Sequence, residues 1–378
     1  MSVALRLVPT DPVIQDLPAP DEAAAAAELA RLTGLDVPGA GFGVLARAVA
    51  FVAGTQGAAV PRPWRSPRVL VLRGDHAGGA AAGTIPGESG RRAALARKGA
   101  GPLGVLAARA GATVQVVDAP PARPMELAPA LDSTEVDKAL RYGWRLAEEA
   151  ADAGVDVLVI GSCGSGTDAA AAAVLAVVLD VEPAAVLPRA VVAGGRVDDA
   201  AWMVRCAAVR DALFRIRPRR PEVRETPADH SFSRIFKANR QRSRRGAREV
   251  LAEVGGGDLT IAVGVLLGAA ARRTPVLVDG PVGAVAALLS RDLADQARRW
   301  CLLPDHGRHP VVKRAADELG LTPCTDLRLD LGEGATALAA LPLLAAALKL
   351  AAVLPHHPTA VAVDGYAWTP GHGMRESA

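Results

Sequence analysis

Short apolar segments alternate with helical patterns along this chain, and this alternation most constrains what the chain can fold into. Short, continuous apolar runs are typical of strands buried in a parallel sheet. The segments with strand character are 68–73, 113–117, 155–160 and 276–278, and the helical patterns between them include 103–110 and 135–153. Strands joined through helices by short connections predict an α/β fold with a mostly parallel, Rossmann-like sheet and helices on both faces.

The predicted strands end in polar residues or glycines. These ends carry Asp75-His76, Asp118, Gly161-Ser162 and Asp279-Gly280. Ligands of open parallel sheets bind outside the carboxyl ends of the strands. We therefore expect the functional residues to lie at that edge of the sheet.

The composition narrows the class of protein. Of the 378 residues, 50% are hydrophobic, 22% are charged and only 3% are aromatic, which excludes a wholly disordered chain. Four scattered cysteines exclude a disulfide framework and a zinc module. The first residues lack a basic region followed by an apolar core, so the sequence predicts a cytoplasmic protein with reduced thiols.

We expect a large α/β domain, a small helical domain and two flexible ends. The predicted boundaries are 61–334 for the large domain, 21–60 with 335–355 for the helical domain, and 1–20 and 356–378 for the ends.

The stretch 335–354 is long enough to cross a membrane. It contains Thr336, Pro342 and Lys349, and much of the remainder is weakly hydrophobic alanine. These residues favour a buried helix, so no membrane partner is predicted.

The net charge of +3 conceals a strongly basic segment. Between Arg215 and Arg248 there are 12 Lys or Arg residues against three acidic residues, so the remaining chain is net acidic. A basic segment of this kind is typical of a nucleic-acid contact. It is equally typical of a solvated loop or of a contact with a protein partner.

Two glycine clusters are candidates for phosphate binding. Gly161, Ser162, Gly164 and Gly166 follow a predicted strand and lead into an alanine-rich helix, where backbone N–H groups can approach an anion. The sequence matches neither a Walker A loop nor a dinucleotide fingerprint, and a tight turn without a ligand explains it equally well. The second cluster is Gly255-Gly256-Gly257 before Asp258, where Asp258 could instead be a helix N-cap.

A carboxylate between two glycines is the candidate for proton transfer. Glu333 lies between Gly332 and Gly334, just before an apolar helix. A glutamate in a surface loop is usually only solvated. A partly desolvated glutamate has a raised pKa and is a suitable general base.

The remaining polar residues leave alternatives open. Asp198-Asp199 at a helix start could bind a metal, but this pair more often caps the helix. Arg205 could bind a phosphate or pair with a nearby carboxylate. His306 and His309 lie among prolines and favour a loop, so no metal site is predicted.

Taken in order, these motifs resemble a diverged, actinobacterial-like member of the nicotinate-nucleotide–dimethylbenzimidazole phosphoribosyltransferase family. The resemblance covers roughly residues 35–354 and is interrupted near 219–247. The motifs that carry it are 38–43, Gly74-Asp75-His76, the glycines of 161–166, Asp198-Asp199, Gly255-Gly256, Val278-Asp279-Gly280, and 331–334 running into 339–344.

The resemblance implies a function and a site. The family transfers the phosphoribosyl group of nicotinate mononucleotide to dimethylbenzimidazole or a similar base, with no metal and no cofactor, and it implies a homodimer with a catalytic large domain. Glu333 matches the general base. The residues that match the mononucleotide and phosphate site are Gly161, Ser162, Gly164, Gly166, Arg205, Gly255, Gly256, Asp279, Gly280, Leu331 and Gly332, and those on the base side are Thr84, Gly87 and Glu88.

The chain departs from the family pattern at several of these positions. Ser162 replaces a Glu, Asp168 replaces a Thr and Arg205 replaces a Lys, while Gly87 stands where the family usually has the Gln that touches the base ring. The departures leave a second hypothesis open, a non-catalytic nucleotide-binding or regulatory relative. The basic segment of roughly 219–247 falls where the family has a shorter connection, which favours a loop insertion or a partner contact over nucleic-acid binding.

Overall fold

The computed structural model of the protein describes residues 16–192, 195–217 and 246–358. The predictions for residues 1–15, for nearly all of the basic insertion and for residues 359–378 lie outside these described residues.

A five-stranded sheet forms the centre of the molecule. Its strand order is β2-β1-β3-β6-β7, and all neighbouring strands are parallel, which confirms the predicted α/β class. A separate two-stranded antiparallel ribbon pairs β4 with β5. The strands are β1 (Pro67–Arg73), β2 (Thr113–Asp118), β3 (Val157–Ser162), β4 (Val191–Val192), β5 (Arg196–Val197), β6 (Val276–Val278) and β7 (Cys301–Leu302).

Helices follow the strands in the predicted alternation. They are α1 (Glu22–Thr33), α2 (Leu45–Gln56), α3 (Glu88–Arg97), α4 (Gly101–Ala110), α5 (Ser133–Asp152), α6 (Thr167–Leu179), α7 (Pro183–Val186), α8 (Asp199–Ile216), α9 (Ala247–Val250), α10 (Gly256–Ala271), α11 (Gly280–Leu293), α12 (Pro310–Leu319) and α13 (Ala335–Val353). Two 3₁₀ turns lie at Gly78–Ala81 and Asp295–Trp300, and a π-helical turn, Leu251–Gly255, joins α9 to α10.

Strand β3 begins two residues later than the pattern predicts. The carboxylate of Asp156 accepts hydrogen bonds from the backbone N–H groups of Arg65 and Ser66. This contact holds Asp156 outside the ladder, and the strand continues through Gly161 to Ser162 instead.

Alternate residues of the strands bury two different faces. In β1, Leu70 and Leu72 belong to the core formed with α5, α6, α10 and α11, while Val69 and Val71 belong to the core formed with α4 and α13. This two-residue period is the one expected of a strand, and burial on both sides explains the continuous apolar run.

The predicted helical cluster is built from α1, α2 and α13. Leu32, Val49, Val52 and Leu348 are buried together where these helices meet. Because α13 also packs on the sheet, the same helix joins the cluster to the α/β core. The division into two domains stays a prediction.

In the part of the chain that the structure describes, two helical segments are apolar and long enough to cross a membrane by length and composition. In the most apolar 18-residue stretch of 247–271, 89% is buried inside the structure, and in that of 335–353 the buried share is 50%. Both segments pack as core helices of the α/β fold, as predicted for 335–354.

Candidate active site

The carboxyl edge of the sheet borders a cavity of about 290 Å³. Residues from the ends of β3 and β6 line it, together with the loops that precede α12 and α13. Its polar lining side chains include Ser162, Asp168, Arg189, Arg205, Asp279, Asp305, His306, His309, Asp330, Glu333 and Thr336. The cavity therefore lies at the edge of the sheet where the sequence predicts the functional residues.

Glu333 occupies an unusual backbone conformation beside the cavity. Its φ is +58°, between Gly332 at +72° and Gly334 at +89°. A left-handed glutamate costs energy and is held by its surroundings. A Cβ atom added at Gly161 would lie 2.3 Å from the carbonyl oxygen of Glu333, so glycine is required at the end of β3 for this loop to approach the sheet.

The electrostatic surroundings of Glu333 suit a proton acceptor. Its side chain is only 12% exposed, and burial raises the pKa of its carboxyl group above the usual range, although Arg92 and Arg91 oppose that shift. Arg92 Nε lies 3.4 Å from Glu333 Oε1. A carboxylate with a raised pKa can take a proton from a weakly acidic N–H group near neutral pH.

The residues predicted on the base side lie along the approach to α3. Gly87 is the N-cap of α3 in a left-handed conformation, and a Cβ atom there would meet nothing within 4 Å. Glu88 forms ion pairs with Arg91 and Arg92. Arg92 also pairs with Glu333, so it links Glu88 to the candidate general base. Thr84 lies in the turn before Gly87, with its N–H bonded to the carbonyl of Ala81.

The glycine loop after β3 is tightly packed against its neighbours. A Cβ at Gly164 would lie 1.6 Å from the carbonyl oxygen of Gly74, and Gly166 has a φ of +72° beside His76. Asp75 Oδ1 accepts hydrogen bonds from both the N–H and the hydroxyl of Ser165, each at 3.0 Å. The glycines are therefore required for close packing of this loop, while Ser162 and Asp168 line the cavity.

Asp279 connects the end of β6 with the start of α13. Its carboxylate accepts the N–H of Ala337 at 2.9 Å, and the N–H groups of Thr336 and Gly280 also bond to it. Burial nevertheless raises its pKa to about 7, and the nearby charge of Asp330 adds to this effect. The same residue lines the cavity floor beside Gly280, the first residue of α11.

The cationic side of the cavity is formed by Arg205 and Arg189. Arg205 is buried, and its Nε donates to the carbonyl of Ala82 at 2.8 Å. Asp198 is the N-cap of α8 and accepts the N–H of Ala201, so the capping interpretation of the aspartate pair is the one that the structure bears out.

Asp168 and His309 meet across the cavity wall. Asp168 lies in the first turn of α6, and His309 Nε2 is 3.5 Å from its Oδ1. His309 is also the N-cap of α12. The sequence predicted a loop for this histidine but did not indicate the contact, although histidine before a proline at a helix start is compatible with a cap.

The second glycine cluster lies behind the cavity. Gly255 and Gly256 are buried and do not line it. Asp258 is not the N-cap of α10, a position that Gly255 occupies, and its Oδ1 lies 3.0 Å from Nε2 of the buried His76. Leu331 is exposed beside the lining residue Gly332. Gly255 and Gly256 therefore do not line the cavity, and the same holds for the predicted site residues Thr84, Gly87, Glu88, Gly161, Gly164, Gly166 and Leu331.

Within the described ranges, no group of three or more His, Cys, Asp or Glu side chains is arranged to hold a metal ion. The residues around the cavity instead combine one partly desolvated glutamate with buried aspartate and arginine side chains.

Comparisons with known proteins identify relatives with this architecture. Residues 17–360 match the model of a family, DBI_PRT, described as phosphoribosyltransferase. A nicotinate-nucleotide–dimethylbenzimidazole phosphoribosyltransferase from Streptomyces avermitilis is 36% identical over 341 residues, which cover 84% of each chain. Its namesake from Mycobacterium tuberculosis is 36% identical over 349 residues, or 87% of this chain and 89% of that one.

The fold is also similar to that of a solved structure. The crystal structure of CobT from Thermus thermophilus matches with a TM-score of 0.73 at 26% identity, covering 87% of this chain and 96% of that chain. These findings confirm the resemblance inferred from the order of the motifs. The chain therefore belongs to the phosphoribosyltransferase family whose model matches nearly its whole length.

Proposed function

We propose that this protein transfers the 5-phosphoribosyl group of nicotinate mononucleotide to dimethylbenzimidazole or a similar base, within the assembly of the nucleotide loop of cobalamin. The products are the α-riboside 5′-phosphate of the base and nicotinate. The observation that carries the proposal is the position of Glu333: its partly desolvated carboxylate lines the cavity, in a chain that belongs to the phosphoribosyltransferase family.

The chemistry needs little beyond positioning and one proton acceptor. A ring nitrogen of the base attacks the anomeric carbon, the bond to nicotinate breaks, and the configuration inverts from β to α. The departing pyridinium takes the bonding electron pair and loses its positive charge, so it is an activated leaving group. Glu333 accepts the N–H proton of the base as the new bond forms.

The other residues have binding roles in this proposal. Arg205 binds the 5′-phosphate, because a buried guanidinium favours an anion, and the positive end of the α11 dipole at Gly280 adds to this attraction. Backbone groups of Leu331 and Gly332 and the loop that contains Ser162 hold the mononucleotide. The base lies toward Thr84, Gly87 and Glu88.

The test is a product assay with nicotinate mononucleotide and a panel of benzimidazoles, purines and phenols. We expect nicotinate release and an α-configured product with at least one benzimidazole. Glu333→Gln keeps the size of the side chain but cannot accept a proton, so kcat should fall about 100- to 10,000-fold. Unchanged thermal unfolding serves as its folding control, and near-wild-type turnover would show that Glu333 is not the base.

A non-catalytic, nucleotide-binding relative is the second candidate. It is favoured by Ser162, an uncharged side chain on the cavity at the position where the family pattern has a glutamate. Calorimetric titration with nicotinate mononucleotide separates the two candidates. Binding without nicotinate release, for every base in the panel, would support the binder and contradict the enzyme.

We further propose that the protein is a cytoplasmic homodimer. The family resemblance supports the dimer, and the four cysteines, which form no disulfide, support a reducing compartment. Sedimentation equilibrium tests the dimer, since a single-chain mass at micromolar concentration would contradict it.

A further inference from the structure

We propose that Asp168 binds a hydroxyl group of the ribosyl moiety and that His309 is the positioning residue that holds the Asp168 carboxylate in place. The inference rests on the proposed transfer of a ribosyl group. It assigns a ligand to two cavity residues that the proton transfer at Glu333 does not use.

The tautomer of His309 follows from its role at the helix start. The N–H of Val311 donates to His309 Nδ1 at 3.2 Å, so Nδ1 must carry a lone pair, and the proton of the neutral ring is assigned to Nε2. Nε2 is buried, and no acceptor in the described part of the chain forms a well-aligned hydrogen bond with it. Its N–H group faces Asp168, whose Oδ1 is 3.5 Å away.

Asp168 remains an ionised acceptor on the cavity. Partial desolvation beside the cavity wall acts to raise the pKa of its carboxyl group, but the contact with His309 and the charge of Arg205 hold that pKa below the usual range. The side chain is 43% exposed and lines the cavity, so its carboxylate oxygens are accessible to a ligand. An accessible carboxylate accepts hydrogen bonds and repels anions.

The donor groups of the substrates decide which of them meets Asp168. Nicotinate mononucleotide carries a phosphate and a carboxylate, both of which are repelled by Asp168, and its neutral donors are the 2′- and 3′-hydroxyls. The N–H of the base belongs to Glu333, and the Asp279 carboxylate is occupied by backbone N–H groups. A ribose hydroxyl is therefore the donor that Asp168 can accept.

The first test compares Asp168→Ala with wild type on nicotinate mononucleotide and its 2′-deoxy and 3′-deoxy analogues. Loss of a hydrogen bond to a charged acceptor should lower kcat/KM for the full substrate about 10- to 100-fold. With one deoxy analogue the wild-type kcat/KM should already be lower by this factor, because the hydroxyl is missing. The variant should lower kcat/KM for that analogue by less than about a further twofold. If the alanine variant does not fold, Asp168→Asn takes its place. It should affect the same deoxy analogue, with a smaller loss of kcat/KM.

Two results would overturn the inference. Equal losses for all three nucleotides in the Asp168 variants would show that no ribose hydroxyl meets this carboxylate, while leaving the proposed function intact. A wild-type protein that neither binds nor converts nicotinate mononucleotide would overturn the proposed function and the inference with it.

A matched pair of variants tests the positioning role of His309. His309→Asn keeps a good helix cap but lacks the distant N–H donor, so it should unfold at the wild-type temperature, raise KM several-fold and lose discrimination against the deoxy analogue. His309→Gln keeps a donor near the position of Nε2 but is a poor cap, so it should unfold at a lower temperature and retain discrimination. The reverse pattern would show that His309 serves only as the cap.

Discussion

Two carboxylates next to glycines look alike in the sequence and have opposite surroundings in the fold. Asp258 follows Gly257, Glu333 lies between Gly332 and Gly334, and each precedes an apolar helical run. Asp258 is fully buried, and Oδ1 contacts His76 while the N–H of Leu259 donates to the same oxygen. Glu333 lines the cavity, and its Oε1 lies 3.4 Å from Nε of the more exposed Arg92.

The glycines of the two segments differ in the same way. Gly256 and Gly332 have almost the same φ, +70° and +72°. A Cβ at Gly256 would lie 2.4 Å from Cε1 of His76, whereas a Cβ at Gly332 would meet nothing within 4 Å. One glycine makes room for a core contact, and the other only allows the backbone to present Glu333. A carboxylate whose oxygens are occupied maintains structure, and one that is left open is available for chemistry.

The largest expected effect is on the occupied carboxylate. Asp258→Ala leaves His76 buried without its partner, which should lower the free energy of unfolding by about 3–5 kcal/mol. Urea denaturation measures this loss. Glu333→Ala is the control and should change stability by less than about 1 kcal/mol, because its side chain faces the cavity. Similar losses in both variants would remove the contrast between the two segments.

Local pattern predicted four of the five strands of the central sheet. The strand at 68–73 was recognisable because both of its faces are buried, with every second residue in one core and the others in the second. Strand β7 was not predicted, because two residues are too short to show a pattern. Residue type alone left Glu333 open between a solvated loop and a general base, and the family resemblance is what assigned it as the base; in the fold it lines the cavity.

Contacts between distant parts of the chain could not be predicted in this way. Arg92 faces Glu333, and His309 faces Asp168, only because the fold returns these segments to one edge of the sheet. Periodicity reports which face of an element is buried but not which element covers it. The same limit made the cluster before Asp258 a candidate phosphate site, although its glycines pack against His76 and Pro120.

The glycines give the next effect in size. Gly256→Ala adds both a left-handed alanine and a clash with His76, which together should cost about 3 kcal/mol. Gly332→Ala has only the conformational penalty, about 1–2 kcal/mol. Thermal unfolding of both variants ranks the two costs. Equal destabilisation would mean that the His76 ring moves aside and that Gly256 is not required for packing.

The smallest effect concerns the open carboxylate and its pH dependence. Burial raises the pKa of Glu333, while Arg92 and, more weakly, Arg91 lower it. Removing the cation in Arg92→Ala should therefore raise this pKa further. A general base acts in its deprotonated form, so activity is lost as the pH falls through its pKa, and a higher pKa moves the acidic limb of kcat/KM to higher pH.

Arg91→Ala is the matched control for this shift. Arg91 is exposed and forms its hydrogen bonds with Glu88, so its removal should move the acidic limb in the same direction but by less. Profiles of kcat/KM against pH for both variants and the wild type measure the difference. An acidic limb that stays in place in Arg92→Ala would assign it to a group other than Glu333. Arg92 is the cation at ion-pair distance from Glu333, so a surface substitution at this position should move the titration of that carboxylate.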